Sequence, residues 1–143
     1  MIRQKIVLPK YNDWEVDAYF AVSTYYVDEI MEHLHDIGID GKNARTAWEN
    51  ISSERLDTGL CYSNYKKRKT VLVVALTSSP SEFMNSLTHE IAHCAVHISS
   101  VFSIDYHSEE FAYLVGELSR EMYPMVKHLL CECCRKDERR YER

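Results

Sequence analysis

The chain has 143 residues, 45% hydrophobic and 27% charged, with a formal net charge of -5. That length and balance fit one globular domain over 1–143 with a real core and exclude a disordered or fibrous chain. The negative charge excludes a nucleic-acid backbone as the expected partner, and no apolar run approaches the ~18 residues of a membrane span.

Ile2 to Leu8 reads as a short strand ended by Pro9. Asn12 and Glu15 form a capping box, and Val16, Phe20, Val27, Ile30, Met31 and Leu34 recur at helical spacing. Together they predict one long helix from near Asp13 to Gly38. A shorter helix is expected from Asn43 to about Ser52, with Ala44, Ala47, Trp48 and Ile51 on its apolar face. The period then changes. Leu60 to Tyr65 and Thr70 to Thr77 are rich in β-formers and predict a hairpin, with Lys66-Lys67-Arg68-Lys69 as its solvated turn.

Ser79-Pro80-Ser81-Glu82 supplies an N-cap, a proline at the first helical position and a glutamate three residues after the cap. A helix should therefore start near Pro80 and run to about His97 or Ile98. A loop from Ser99 to His107 leads to a helix from Ser108 to Met122, which Pro124 would interrupt. A last helical segment from Met125 ends in a charged tail from Arg135, expected to fray. The sum is an α+β domain with a small, mainly antiparallel sheet carrying helices.

The Pro80 helix contains His89-Glu90-Ile91-Ala92-His93, an H-E-x-x-H sequence. Histidines at i and i+4 stand one above the other on a helix face, so both imidazoles can reach one divalent ion, usually zinc. Glu90 between them is placed to act on a metal-activated water. At 100° per residue, Ser86, His89, Glu90, His93 and His97 fall on one side, and Met84, Leu87, Ile91, Cys94 and Ile98 on the other. The chemistry and the packing are thus on separate faces.

A catalytic zinc needs a third protein ligand and an open position. The next helix begins His107-Ser108-Glu109-Glu110-Phe111-Ala112-Tyr113. Glu109 shares a face with Ala112, Tyr113 and Gly116, whose small members would let this helix lie close to the motif helix. Glu110 lines up with Glu117 and Glu121 as a solvated stripe. Glu109 is the preferred ligand, with Glu110, His107 and Asp105 as alternatives. His97 lies ~12 Å along the axis from His89, too far for all three histidines to share one tetrahedral ion, and is expected to support the site or the fold instead. Tyr106, His107 and Tyr113 are candidate oxyanion stabilisers.

The five cysteines form no disulfide framework, and the N-terminus has no apolar signal region; both predict a reducing, cytoplasmic setting without export. Cys131-Glu132-Cys133-Cys134 holds one C-x-x-C with no second ligand pair, so it reads as reduced thiols at a helix end. His33 and His35 point to different sides of a helix and do not share a metal.

The pattern H-E-x-x-H-x-x-x-H followed by E-x-x-A (Glu109 to Ala112) resembles the small gluzincin metallopeptidases and is similar to the ImmA/IrrE-type peptidases of phages and bacteria. The resemblance covers about residues 60 to 122. It implies a zincin-like fold in which Thr70 to Thr77 serves as the substrate-binding edge strand. It implies a zinc held by His89, His93 and Glu109. It also implies hydrolysis of a peptide or protein substrate, with Glu90 taking a proton from water and passing it to the leaving amine. A phage association comes from the resemblance alone. The rivals are a zincin-fold binding or regulatory protein, a zinc hydrolase acting on a non-peptide amide, and a structural domain with a chance motif. The sequence leaves substrate, specificity and oligomeric state open.

Overall fold

The structure is a computed structural model and describes residues 1–134; the expected fraying from Arg135 lies outside the described residues. In chain order the elements are β1 (Ile2–Leu8), β2 (Trp14–Val22), α1 (Val27–Asp36), α2 (Gly41–Ser52), β3 (Gly59–Asn64), β4 (Lys69–Ala75), α3 (Pro80–Phe102) and α4 (Glu109–Val126).

β2 overturns the long helix expected from Asp13. The residues Trp14-Glu15-Val16-Asp17-Ala18-Tyr19-Phe20 alternate, and Trp14, Val16, Ala18 and Phe20 all enter one core. Val16 and Phe20 are four apart, a spacing that suits one helical turn and two strand periods equally. Asn12 and Asp13 both take positive φ, 54° and 58°, so the segment turns back as a hairpin on β1 instead of capping a helix. Glu15 then meets Lys5 and Lys69 across the strands at 3.9 and 3.7 Å.

The four strands lie in the order β1-β2-β4-β3. β1 with β2 and β3 with β4 are antiparallel, whereas β2 and β4 run parallel. The sheet is therefore mixed. The unforeseen β2 supplies the parallel pair, because the chain must cross over through α1 and α2 before it returns.

Alternation along the strands gives the sheet two apolar faces. Ile6, Leu8, Val16, Phe20, Leu72 and Val74 pack with Phe83, Ile91 and Ile98 of α3 and Leu114, Leu118 and Met122 of α4. Tyr19, Val71, Val73 and Leu60 pack on the other face with Ile30 and Leu34 of α1 and Ala47 of α2. His33 ties α1 to β2: Tyr19 Oη lies 2.5 Å from its Nδ1, and Asp17 lies 3.3 Å from its Nε2.

α3 begins where the cap sequence places it, with the Ser79 hydroxyl accepting the Glu82 N–H at 3.2 Å. It runs one turn past the expected end and stops at Ser103, which takes φ 56°. α4 continues through Pro124 to Val126 before a 3-10 turn over Lys127–Leu130. Pro124 withholds one backbone hydrogen bond but falls close enough to the C-terminus for the helix to carry it.

Candidate metal and catalytic site

α3 lays Leu87, Ile91, Cys94 and Ile98 into the core and turns His89 and His93 outward, as the helical projection predicts; Met84, which is exposed, and Ser86 and Glu90, which are buried, depart from it. The two histidine Nε2 atoms stand 3.1 Å apart. Tetrahedral zinc with bonds of about 2.0–2.1 Å would separate two ring nitrogens by about 3.3 Å. The pair is thus already spaced for one ion.

Glu90, one residue along, turns into the protein and is 5% exposed. Its Oε2 is buried without a hydrogen-bond partner. Burial raises its pKa to about 7, since a carboxylate there loses water without gaining a donor. Gly59 of β3 lies directly against this carboxyl. A buried, unpartnered acid beside two convergent imidazoles fits the chemistry of a metal-assisted hydrolase.

These side chains line a cleft of about 430 Å³ between α3, β3 and α2. Its floor includes Cys61 and Ser63 from β3, and Asn43 and Asn50 come from α2. β3, not β4, is the edge strand beside the motif helix, which corrects the expectation for Thr70 to Thr77. Glu15 N–H donates to Arg68 O, and Ala75 N–H donates to Thr58 O. This phase gives the alternate β4 residues 69, 71, 73 and 75 to β3, so Gly59, Cys61 and Ser63 turn their backbone groups toward the open edge. Asn50 Nδ2 donates to Gly59 O at 2.7 Å and closes that one acceptor.

His97 enters the same cleft from the next turn of α3, its ring centroid 6.4 Å from that of His93. Its Nδ1 lies 2.8 Å from Ser63 Oγ, and the Tyr65 ring meets it edge-on at 5.6 Å. Burial, and secondarily the charge of a protonated His93, lowers its pKa. His97 therefore supports the cleft, in line with the helical-rise argument.

The following helix packs differently from expectation. Leu114, Leu118, Met122 and Val126 form its buried face, whereas Ala112 and Gly116 are exposed, and a Cβ on Gly116 would meet nothing within 4 Å. The small residues thus do not seat α4 on α3; the larger apolar stripe wins because it buries more area. Glu109 shares the exposed side with Tyr113, which is 72% exposed. Glu110 reaches Lys10 at 3.8 Å. Among the described residues, no group of three His, Cys, Asp or Glu side chains is placed to hold a metal ion. The two histidines and Glu90 come together; Glu109 does not join them.

Tyr106, His107 and Tyr113 are exposed and do not line the cleft; Tyr106 Oη instead meets Ser100 Oγ at 3.2 Å. Asn50, Gly59, Ser63 and Tyr65 were not singled out from the sequence. One signal was present: Gly59, Cys61 and Ser63 are three small residues at period two, the face on which a helix can lie close to a strand. Cys131 and Cys133 have their sulfurs 3.4 Å apart and all five cysteines are free thiols. Among the described residues, no helix is long and apolar enough to cross a membrane. No family model, curated protein or solved structure matches the chain.

Proposed function

We propose that this chain is a zinc-dependent peptidase, and that the observation carrying the reading is the convergence of His89 and His93 at 3.1 Å beside the unpartnered buried carboxyl of Glu90. His89 and His93 would hold the ion. Glu109, which lies on the exposed side of α4 apart from the pair, is proposed as third ligand on the E-x-x-A resemblance alone, and α4 would have to shift to bring it to the ion. When bound, zinc supplies Lewis acidity for water and the scissile carbonyl.

Glu90 then does the proton work. As the water oxygen bonds to the carbonyl carbon, the carbonyl π pair moves onto its oxygen and Glu90 takes the water proton. The pair returns, the C–N bond breaks, and Glu90 delivers that proton to the leaving nitrogen. Burial suits Glu90 to both acts, because a carboxyl short of water and donors takes up a proton more readily than a solvated one. The backbone groups of Cys61 and Ser63 can pair with an extended peptide as one more strand, which favours a peptide over a compact non-peptide amide. The setting proposed for it is cytoplasmic.

Elemental analysis of protein purified without chelator or metal-affinity resin tests the metal first, with about one zinc per chain expected and a weaker hold in His93→Ala and Glu109→Ala. Quenched fluorescent peptides test the chemistry: Glu90→Gln should retain zinc and lose about 10²–10⁴-fold in rate. Absence of zinc after incubation with the ion removes the peptidase reading. Zinc without hydrolysis in the unsubstituted protein leaves a metal-holding binding protein.

A further inference from the structure

Four side chains run in a line from the sheet interior to the cleft. Trp14 Nε1–H donates to Thr70 Oγ1 at 2.8 Å. Thr70 Oγ1 lies 2.7 Å from Ser63 Oγ, which lies 2.8 Å from His97 Nδ1. Distances alone leave the direction of the last two bonds open, and a count of the hydrogens and their acceptors favours one order.

An indole N–H can only donate, so Thr70 Oγ1 accepts from Trp14. Thr70 is fully buried, with Trp14 and Ser63 as its hydroxyl partners. Its own hydrogen must therefore go to Ser63 Oγ, or it stays inside the protein with no acceptor. Ser63, having accepted from Thr70, has its hydrogen left for His97 Nδ1. The reverse order, with His97 Nδ1–H donating to Ser63 Oγ, would leave the Ser63 hydrogen without a protein acceptor, whereas the outward order gives both hydroxyl hydrogens one. Cys61 Sγ, 4.0 Å from the same Nδ1, is consistent with this order, since a thiol can also donate weakly to it.

We propose that this relay holds His97 as the neutral Nε2–H tautomer and that His97 donates this hydrogen, within the cleft, to the oxygen that becomes anionic when water adds to the scissile carbonyl. The role rests on the peptidase reading; the tautomer is read from the relay alone. It also assigns His97 as a donor and not a metal ligand, because a protonated Nε2 has no lone pair for an ion and Nδ1 is occupied. Trp14, Thr70 and Ser63 are positioning residues that act through it, as an oxyanion donor must be aimed before the charge develops. The exposed Tyr106, His107 and Tyr113 are not needed for this task.

The test combines a spectroscopic and a kinetic readout on the full chain. Long-range proton–nitrogen correlation of the histidine rings, with His97 assigned by the loss of its signals in His97→Gln, should show the Nε2–H form in zinc-loaded and chelated protein alike. Thr70→Val removes the order imposed on Ser63 and should yield a mixture of tautomers. With fluorescein-labelled casein at saturation, His97→Phe should lower the rate about 10²–10³-fold, His97→Gln should recover part of it, and both should keep the zinc content of the parent. An Nδ1–H form in the parent, zinc loss in His97→Phe, or an unchanged rate in His97→Phe overturns the proposal. A parent that shows the Nε2–H form yet cleaves no substrate overturns the peptidase reading and the oxyanion role with it, while the relay stands.

Discussion

A Cβ built on Gly59 would stand 2.9 Å from Glu90 Oε1 and 2.7 Å from the Val73 carbonyl oxygen, so β3 can lie against the carboxyl only as glycine. That close approach excludes water from Glu90 and supplies it no donor, which is why its pKa rises from 4.5 to about 7. The consequence for stability has a definite sign. Well below pH 4.5 the carboxyl is neutral in folded and unfolded chains and costs nothing. As pH rises toward 7 the unfolded chain ionises first and the fold loses stability, by up to roughly 3 kcal/mol once both forms are ionised. Glu90→Gln should therefore stabilise the metal-free protein above neutrality, with the gain shrinking to a few tenths of a kcal/mol near pH 4.5. Urea-unfolding midpoints of the two proteins in chelator, at pH 4.5 and about pH 8, check this. At this scale the motif itself was legible: three letters at fixed helical offsets define His89, Glu90 and His93. Gly59 was not, since the reason for that glycine is a side chain on another element.

Among the elements, α3 was the most legible because its signals are local. Ser79 caps it, Pro80 opens it and the apolar residues repeat at its period. Ser79→Ala should lower stability by about 1 kcal/mol through the lost Glu82 N–H bond, read as a lowered urea midpoint with an unchanged m-value. β2 was misread because Val16 and Phe20 satisfy both periods, and the polar residues that could decide, Glu15 and Asp17, find partners only after folding: Lys5 and Lys69 for the first, His33 for the second. For α4, a correct start hid a wrong orientation and an end one turn too early. Small residues at 112 and 116 suggested a close seam, but the helix turns on its larger apolar stripe from Leu114 to Val126. Orientation follows from total buried area, which no single spacing reports.

Across the whole molecule, the sheet separates two apolar cores, and the candidate site hangs from the rim of one of them. The histidine pair faces out from α3 and contributes nothing to either core. A metal there would serve chemistry and not folding, unlike a zinc finger whose ligands replace a core. Chelation should thus abolish the proposed peptide hydrolysis while leaving the far-UV circular dichroism spectrum unchanged; loss of helical signal on chelation would contradict this arrangement. The parallel β2–β4 pair has a functional consequence. It leaves β3 on the edge, where its outward backbone groups and the inward side chains of Gly59, Cys61 and Ser63 border the cleft.

The sequence by itself determined the α+β class, the hairpin, the start of the capped helix and the two-histidine, one-glutamate triplet, because each depends on residues a few positions apart. Only the tertiary structure decided that Asp13 onward is a strand, that the sheet is mixed, that β3 is the edge, and that Glu109 lies on the exposed side of α4. It alone brought Trp14, Ser63, Thr70 and His97 into one hydrogen-bonded line. Those four come from two neighbouring strands, a hairpin arm and a helix, and hydrogen bonds across such distances in sequence are set by which faces bury the most apolar surface, not by local spacing.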